Sequence, residues 1–142
     1  KIISSLKKLN VNLKLITDGD VSGVIYVVDE KCTADMYIGI GGGPEGVLAA
    51  AALSCYGAQM QTRLVLTKDE SIRAKRMGID DLNKKYNLNE MIKDDVIFCA
   101  TGITNGDLTN GVLDKGGYFE TTTIALHKKT KIKKIIKNKH QK

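Results

Sequence analysis

The sequence predicts an α/β protein, and three observations carry that prediction. Short β-rich apolar runs alternate with stretches of strong helix formers along the 142 residues. One run, Asp95-Val96-Ile97-Phe98-Cys99-Ala100, is continuously apolar after its first residue, the pattern of a strand buried on both faces. Glycine-rich turns stand where such runs end, most conspicuously at residues 39–46, just before an alanine-rich stretch. Together these predict a parallel-leaning core with an antiparallel end.

Each element has its own reason. Residues 1–9 read as an amphipathic helix with Ile2, Leu6 and Leu9 on one face. Residues 11–17 alternate and are β-rich, a strand closed by Asp18-Gly19-Asp20. Residues 21–28 fit a short helix, although their Val and Ile content also allows a strand. Residues 37–40 read as a strand, followed by the glycine loop and a helix to about Tyr56. A strand is expected over 62–66, and a helix over 69–77 with Gly78 as its C-cap. Short polar-amphipathic pieces follow at 81–86 and 88–92. After the strand at 95–100 and its loop at 101–107, residues 118–126 and 132–136 form a closing hairpin.

A chain of this length is about one domain, large enough for a real core. The net charge of +6 is local: residues 128–142 hold eight lysines and no acid, and the remainder balances 14 basic against 16 acidic side chains. With no tryptophan and few aromatics near it, this segment reads as a basic tail or solvated edge strand, not a nucleic-acid face. No apolar run reaches the roughly 18 residues of a membrane helix, and no secretory leader is visible. The first residue is Lys1, so the chain is expected to be a fragment opening in or at a helix. Cys32, Cys55 and Cys99 have no metal or redox spacing and read as buried free thiols of a cytoplasmic protein. His127 and His140 lie far from the glycine loops, with no adjacent Asp/Glu motif.

The chemistry concentrates in Gly39-Ile40-Gly41-Gly42-Gly43-Pro44-Glu45-Gly46. Glycines let backbone N–H groups converge on a phosphate, and a helix N-terminus adds unpaired donors and partial positive charge. Pro44 suits a first helical turn. Glu45 beside a phosphate demands a cation between the two anions. Carboxylates with few basic partners suit Mg²⁺ or Mn²⁺, which bridges to phosphate and polarises water. Loops after three predicted strands would converge, adding Asp18 and Asp20 and the segment Thr101-Gly102-Ile103-Thr104-Asn105-Gly106-Asp107. Plain readings stand beside these: Asp-Gly-Asp and the 101–107 segment as turns, Glu45 as a charge favourable at a helix N-terminus, Ala49–Ala52 as close packing.

A rival reading uses the same loop. Gly41-x-Gly43-x-x-Gly46 formally matches the dinucleotide fingerprint, and Asp69 follows Gly46 by 23 residues. Pro44 and Glu45 occupy the turn where backbone donors would meet pyrophosphate, and Glu45 would repel it.

Four collinear motifs carry a resemblance: Ile16-Thr17-Asp18-Gly19-Asp20-Val21, residues 39–47, Met60-Gln61-x-Arg63-Leu64 and residues 98–107. Together they are similar to the C-terminal half of class II fructose-1,6-bisphosphatases, over essentially the whole chain. The resemblance implies the layered α/β fold of the inositol-monophosphatase-like group, its C-terminal portion here being a mixed sheet flanked by helices. It implies a phosphoric monoester hydrolase that removes the 1-phosphate of fructose 1,6-bisphosphate in gluconeogenesis, with Mn²⁺ or Mg²⁺, in a cytoplasmic homo-oligomer. Sedoheptulose 1,7-bisphosphate is a second substrate in some members. By motif position, Glu45 is implied as a metal ligand, and Asp18, Gly19, Asp20 and Gly42 as substrate contacts. Gly43 departs from the small side chain, often Thr, that members carry there. The remaining metal carboxylates and a basic substrate loop would lie in an absent N-terminal half, leaving residues 1–142 inactive alone. A non-catalytic remnant, or a subunit completed by another chain, is the alternative outside enzymes.

Overall fold

The computed structural model describes residues 2–17 and 19–142, with Asp20 described through its backbone alone. Helix α1 spans Ile2–Lys7 and helix α2 Asp20–Tyr26. The longest helix, α3, spans Gly43–Tyr56 and is followed by strand β1, Gln61–Arg63. Helix α4 covers Lys68–Arg76, strand β2 Lys85–Asn87 and helix α5 Leu88–Met91. Strands β3 (Ile97–Thr101), β4 (Leu113–Asp114), β5 (Tyr118–His127) and β6 (Ile132–Gln141) complete the chain.

Helix α3 organises the packing. Pro44 stands in its first turn, where a missing N–H costs nothing, and Gly57 ends it at φ 73°, a left-handed conformation that glycine adopts without strain. Ala49 to Cys55 are all buried, so the helix is enclosed around most of its circumference. Its small side chains let neighbours approach closely. On one side Ala52 and Cys55 meet Ile25, Phe98, Ile124 and Leu126. On the other, Ala50 and Leu53 meet Leu88, with Val24, Val28, Met60 and Met91 around them.

Strand β5 is the centre of the larger sheet. It pairs antiparallel with β3 and β4 along one edge and with β6 along the other. Alternate residues Thr122, Ile124 and Leu126 of β5 are buried towards the helices. Strand β6 is exposed along its whole length, and its lysines discourage further strand pairing at that edge. Strands β1 and β2 form a separate antiparallel pair. Helix α4 is held at its start by a reciprocal capping box between Thr67 and Glu70 and buries only Ala74.

The α/β composition, the alanine-rich helix, the helix near 69–77 and the closing hairpin are present, with Met77 as the C-cap and Gly78 after it at φ 86°. Several expectations are corrected. Every described strand pair is antiparallel, so the sheet is neither parallel-leaning nor mixed. Residues 11–17 and 37–40 form no strand. Their apolar alternation is real, but no described strand offers them a ladder, and Ile40 stays 72% exposed. Instead Ile16 and Tyr37 lie against α2 at Gly23, where the missing side chain leaves room. The strand expected over 62–66 is confined to Gln61–Arg63. Strand β3 is covered on one face only: Phe98 is buried, whereas Ile97 is 68% exposed and Cys99 is open.

Candidate functional site

The glycine segment resolves into an irregular approach and the first turn of α3. Gly42 is the N-cap, in extended conformation, and Gly43 to Gly46 are helical. The Gly46 N–H donates to the Gly42 carbonyl at 3.0 Å. The other early N–H groups of the turn lack intrahelical acceptors by position. Glu45 folds back over them: a Cβ placed on Gly42 would collide with Glu45 Oε2. Gly42 is therefore the position where a side chain is excluded, while Gly43 and Gly46 face open space. The Glu45 side chain makes no hydrogen bond or ion pair with any described residue. Gly39 lines a cavity of about 1250 Å³ with Val24, Leu53 and Met60, whereas Gly42 and Glu45 line neither cavity and form an exposed rim.

Of the other expected substrate contacts, Gly19 is the N-cap of α2 at φ 81°, and its carbonyl accepts from Gly23 N–H and Ser22 Oγ, each at 2.8 Å. Asp18 and the Asp20 side chain lie outside the described residues.

The chain directions set where the ends of the expected loops lie, although two of the strands before them do not form. The C-terminal sides of α2 and α3 contribute Val28, Asp29, Cys55 and Tyr56 to a cavity of about 640 Å³ shared with Lys131 and Lys133, where β6 begins. Strand β3 also starts at that end, since the carbonyl of Val96 accepts from Lys128 N–H beside the β5–β6 turn. The N-terminal sides of α2 and α3 and the C-terminal end of β3 are thus directed away from it. Gly19, Gly42–Glu45 and the segment after Thr101 lie on this opposite side.

That last segment is tightly built. Gly102 N–H donates to the Thr122 carbonyl, Val112 N–H to Ile103 and Gly106 N–H to Thr109. Asn105 Oδ1 accepts from Gly111 N–H at 2.8 Å. A Cβ on Gly102 or Gly111 would strike backbone atoms of Asn110 or of residues 103–105. No short-range pattern in the sequence marks this bracing, because Asn105 and Gly111 are six residues apart.

A divalent metal needs several oxygen ligands. Among the described residues no three His, Cys, Asp or Glu side chains gather to hold one. Glu45 is a single candidate donor, so the described residues do not hold a metal by themselves.

The cavity end of the molecule holds a polar cluster that sequence distance concealed. His127 Nε2 lies 2.8 Å from Asp95 Oδ2, and its Nδ1 2.8 Å from Thr130 Oγ1. Asp95 Oδ1 accepts from Val96 N–H and Lys129 N–H. Desolvation raises the Asp95 carboxyl, but the hydrogen bonds from His127 and the two amides outweigh it and hold the group below its usual range. The cluster ties the β5–β6 turn to the start of β3. The cysteines differ in setting: Cys55 is buried and its thiol is pushed up by desolvation, Cys32 is half-buried and Cys99 exposed, which corrects the expectation that all three are buried. No described helix is long and apolar enough to cross a membrane.

With this geometry in place, comparison with known proteins is informative. A family model described as bacterial fructose-1,6-bisphosphatase, glpX-encoded, matches residues 1–140. The chain is 34% identical to a fructose-1,6-bisphosphatase class 2 of Haemophilus influenzae, over 98% of this chain and 46% of the relative. It is 32% identical to a D-fructose 1,6-bisphosphatase class 2/sedoheptulose 1,7-bisphosphatase of Synechococcus sp. strain JA-3-3Ab, over 99% of this chain and 45% of the relative. A protein of the same name from strain JA-2-3B'a(2-13) is 34% identical over the same shares. The chain thus spans somewhat under half the length of the curated relatives it matches.

Proposed function

The chain belongs to the family of bacterial, glpX-encoded fructose-1,6-bisphosphatases, and from that premise we propose that it is the C-terminal part of a metal-dependent sugar-bisphosphate phosphatase. The complete protein hydrolyses the 1-phosphate of fructose 1,6-bisphosphate, a gluconeogenic reaction in the cytoplasm, and works as a homo-oligomer. Its fold is the layered one of the inositol-monophosphatase-like group, to which this chain contributes a four-stranded antiparallel sheet, a separate two-stranded pair and the helices packed with them.

The observation that carries this reading is the Glu45 carboxylate lying over Gly42 at the start of α3. Unpaired N–H groups there suit a phosphate, and an anion beside them without an internal partner suits a shared cation. We assign Gly42 and the following amides to the phosphate, and Asp18, Gly19 and Asp20 to the sugar, whose hydroxyls the two carboxylates accept from. Glu45 is the one metal donor this chain supplies. A divalent metal, Mn²⁺ or Mg²⁺, would neutralise charge developing on the phosphate oxygens. Its other donors belong to the remainder of a family-length protein, and residues 1–142 alone are inactive.

The test joins these 142 residues to the rest of a family-length enzyme in one polypeptide and measures phosphate release from fructose 1,6-bisphosphate. Glu45→Gln is expected to lower kcat at least about 100-fold with the melting temperature retained. Near-normal turnover by that variant would refute the role of Glu45.

A further inference from the structure

We propose that the braced loop between β3 and β4, residues 102–112, is a third wall of the substrate site, and that Asn105 is the positioning residue that holds it there. The inference rests on the reading of Gly42 and Glu45 as a sugar-phosphate site and extends it to a segment to which that reading gives no role.

Three observations carry it. The loop leaves β3 at the end opposite the Asp95–His127 cluster, the same side as Gly19 and Gly42. It is seated on the same buried cluster as α2: Leu108 of the loop and Val21 of the first turn of α2 both pack against the group containing Ile25, Phe98 and Ile124. One hydrophobic anchor therefore fixes the loop and the turn at Gly19–Asp20 together. Third, the loop is rigid where loops are ordinarily adaptable. Gly102 and Gly111 are buried and leave no space for a Cβ, and four hydrogen bonds cross or anchor it. A rigid exposed loop costs less entropy to bind with than a flexible one. Its crest, Ile103 to Asp107, is exposed, with Thr104 and Asp107 offering a hydroxyl and a carboxylate to sugar hydroxyls.

The Asn105 to Gly111 hydrogen bond is the closing contact of this frame. Without its acceptor, the Gly111 amide in a buried position must open towards water or stay unsatisfied. The crest would then lose its placement without touching β3 or β5.

The experiment is a residue-resolved amide NMR titration with fructose 1,6-bisphosphate, without divalent metal so that no turnover occurs, of the polypeptide that joins residues 1–142 to the rest of a family-length enzyme. Amides 103–107 are expected to shift with the same concentration dependence as those of 42–46. Shifts at 42–46 with none at 103–107 would overturn the proposal and leave the site reading intact. Silence at both would overturn the two together. Asn105→Ala should abolish the shifts at 103–107, keep those at 42–46, and remove the exchange protection of the Gly111 amide. Asn105→Asp, which retains the acceptor oxygen, should restore that protection. Equal loop shifts in the wild type and Asn105→Ala would show that Asn105 positions nothing. If Asn105→Ala fails to fold, the wild-type titration decides the loop, and unprotected Gly111 in Asn105→Asp counts against the latch.

Discussion

At the residue scale, the glycine segment separates into positions with different duties. Only Gly42 is crowded, and what crowds it is the mobile end of Glu45. Gly42→Ala should leave stability within about 0.5 kcal/mol, since a flexible side chain can swing aside. The carboxylate would be displaced, and turnover of the joined polypeptide should fall, though less than in Glu45→Gln. Gly46 has open space where a Cβ would stand and no proline after it. Gly46→Ala should therefore stabilise the chain by up to about 1 kcal/mol in urea unfolding, because alanine loses less backbone entropy on entering the helix. A destabilised Gly46→Ala, or a Gly42→Ala as active as the parent, would contradict this division. Sequence alone gives the three glycines equal standing. What distinguishes them is a contact three residues along the helix, visible once the turn is formed.

At the element scale, α3 is the member both cores share, and its alanines set the spacing. Ala52 has no solvent exposure. Ala52→Leu should cost about 1–3 kcal/mol by forcing α3 off the sheet, whereas Val47→Leu, at a half-exposed position, should be close to neutral. Equal unfolding midpoints for the two variants would refute the packing described. Elements defined by local signals were legible: α3 from its helix formers, α4 from its helical run before Gly78, and the β5–β6 hairpin. Those that depend on a partner were not. Residues 11–17 and 37–40 have strand composition, yet a strand is completed by its neighbour, and none of the described strands pairs with them. Strand β3 reads as buried twice because its sequence is apolar on both faces, and the structure covers one. The candidate site divides similarly. Gly42 and Glu45 are legible as a local motif, while the Asn105–Gly111 latch and the Asp95–His127 pair join residues that only folding brings together.

At the scale of the whole molecule, the two ends of the sheet have separate roles: hydrogen-bonded structure at the β5–β6 turn, the candidate site at the other. Acid acts at both ends of the sheet, since Asp95 lies beside the β5–β6 turn and Asp114 pairs with Phe119 at the far end. Asp95 is held below its ordinary range by the balance described above, Asp29 chiefly by the Lys31 amide, and Asp114 chiefly by Lys142. A carboxylate with a lowered folded pKa stabilises above its unfolded value of about 3.9 and loses that contribution as pH falls through the folded value. The melting temperature should therefore change little from these groups between about pH 7 and 5 and drop below about pH 4. Asp95→Asn should lower it near neutrality and narrow the gap to the parent in acid. A gap that widens in acid would contradict the assignment. The chain spans under half the length of its relatives, and its site is correspondingly a rim with one acidic donor over one helix start. We propose that this rim serves removal of the 1-phosphate of a sugar bisphosphate, and ³¹P NMR of fructose 1,6-bisphosphate incubated with the joined, family-length polypeptide reads that step itself. The 1-phosphate resonance is expected to disappear and inorganic phosphate to grow, with the 6-phosphate intact. Release of the 6-phosphate, or none from a folded polypeptide supplied with Mn²⁺, would contradict it.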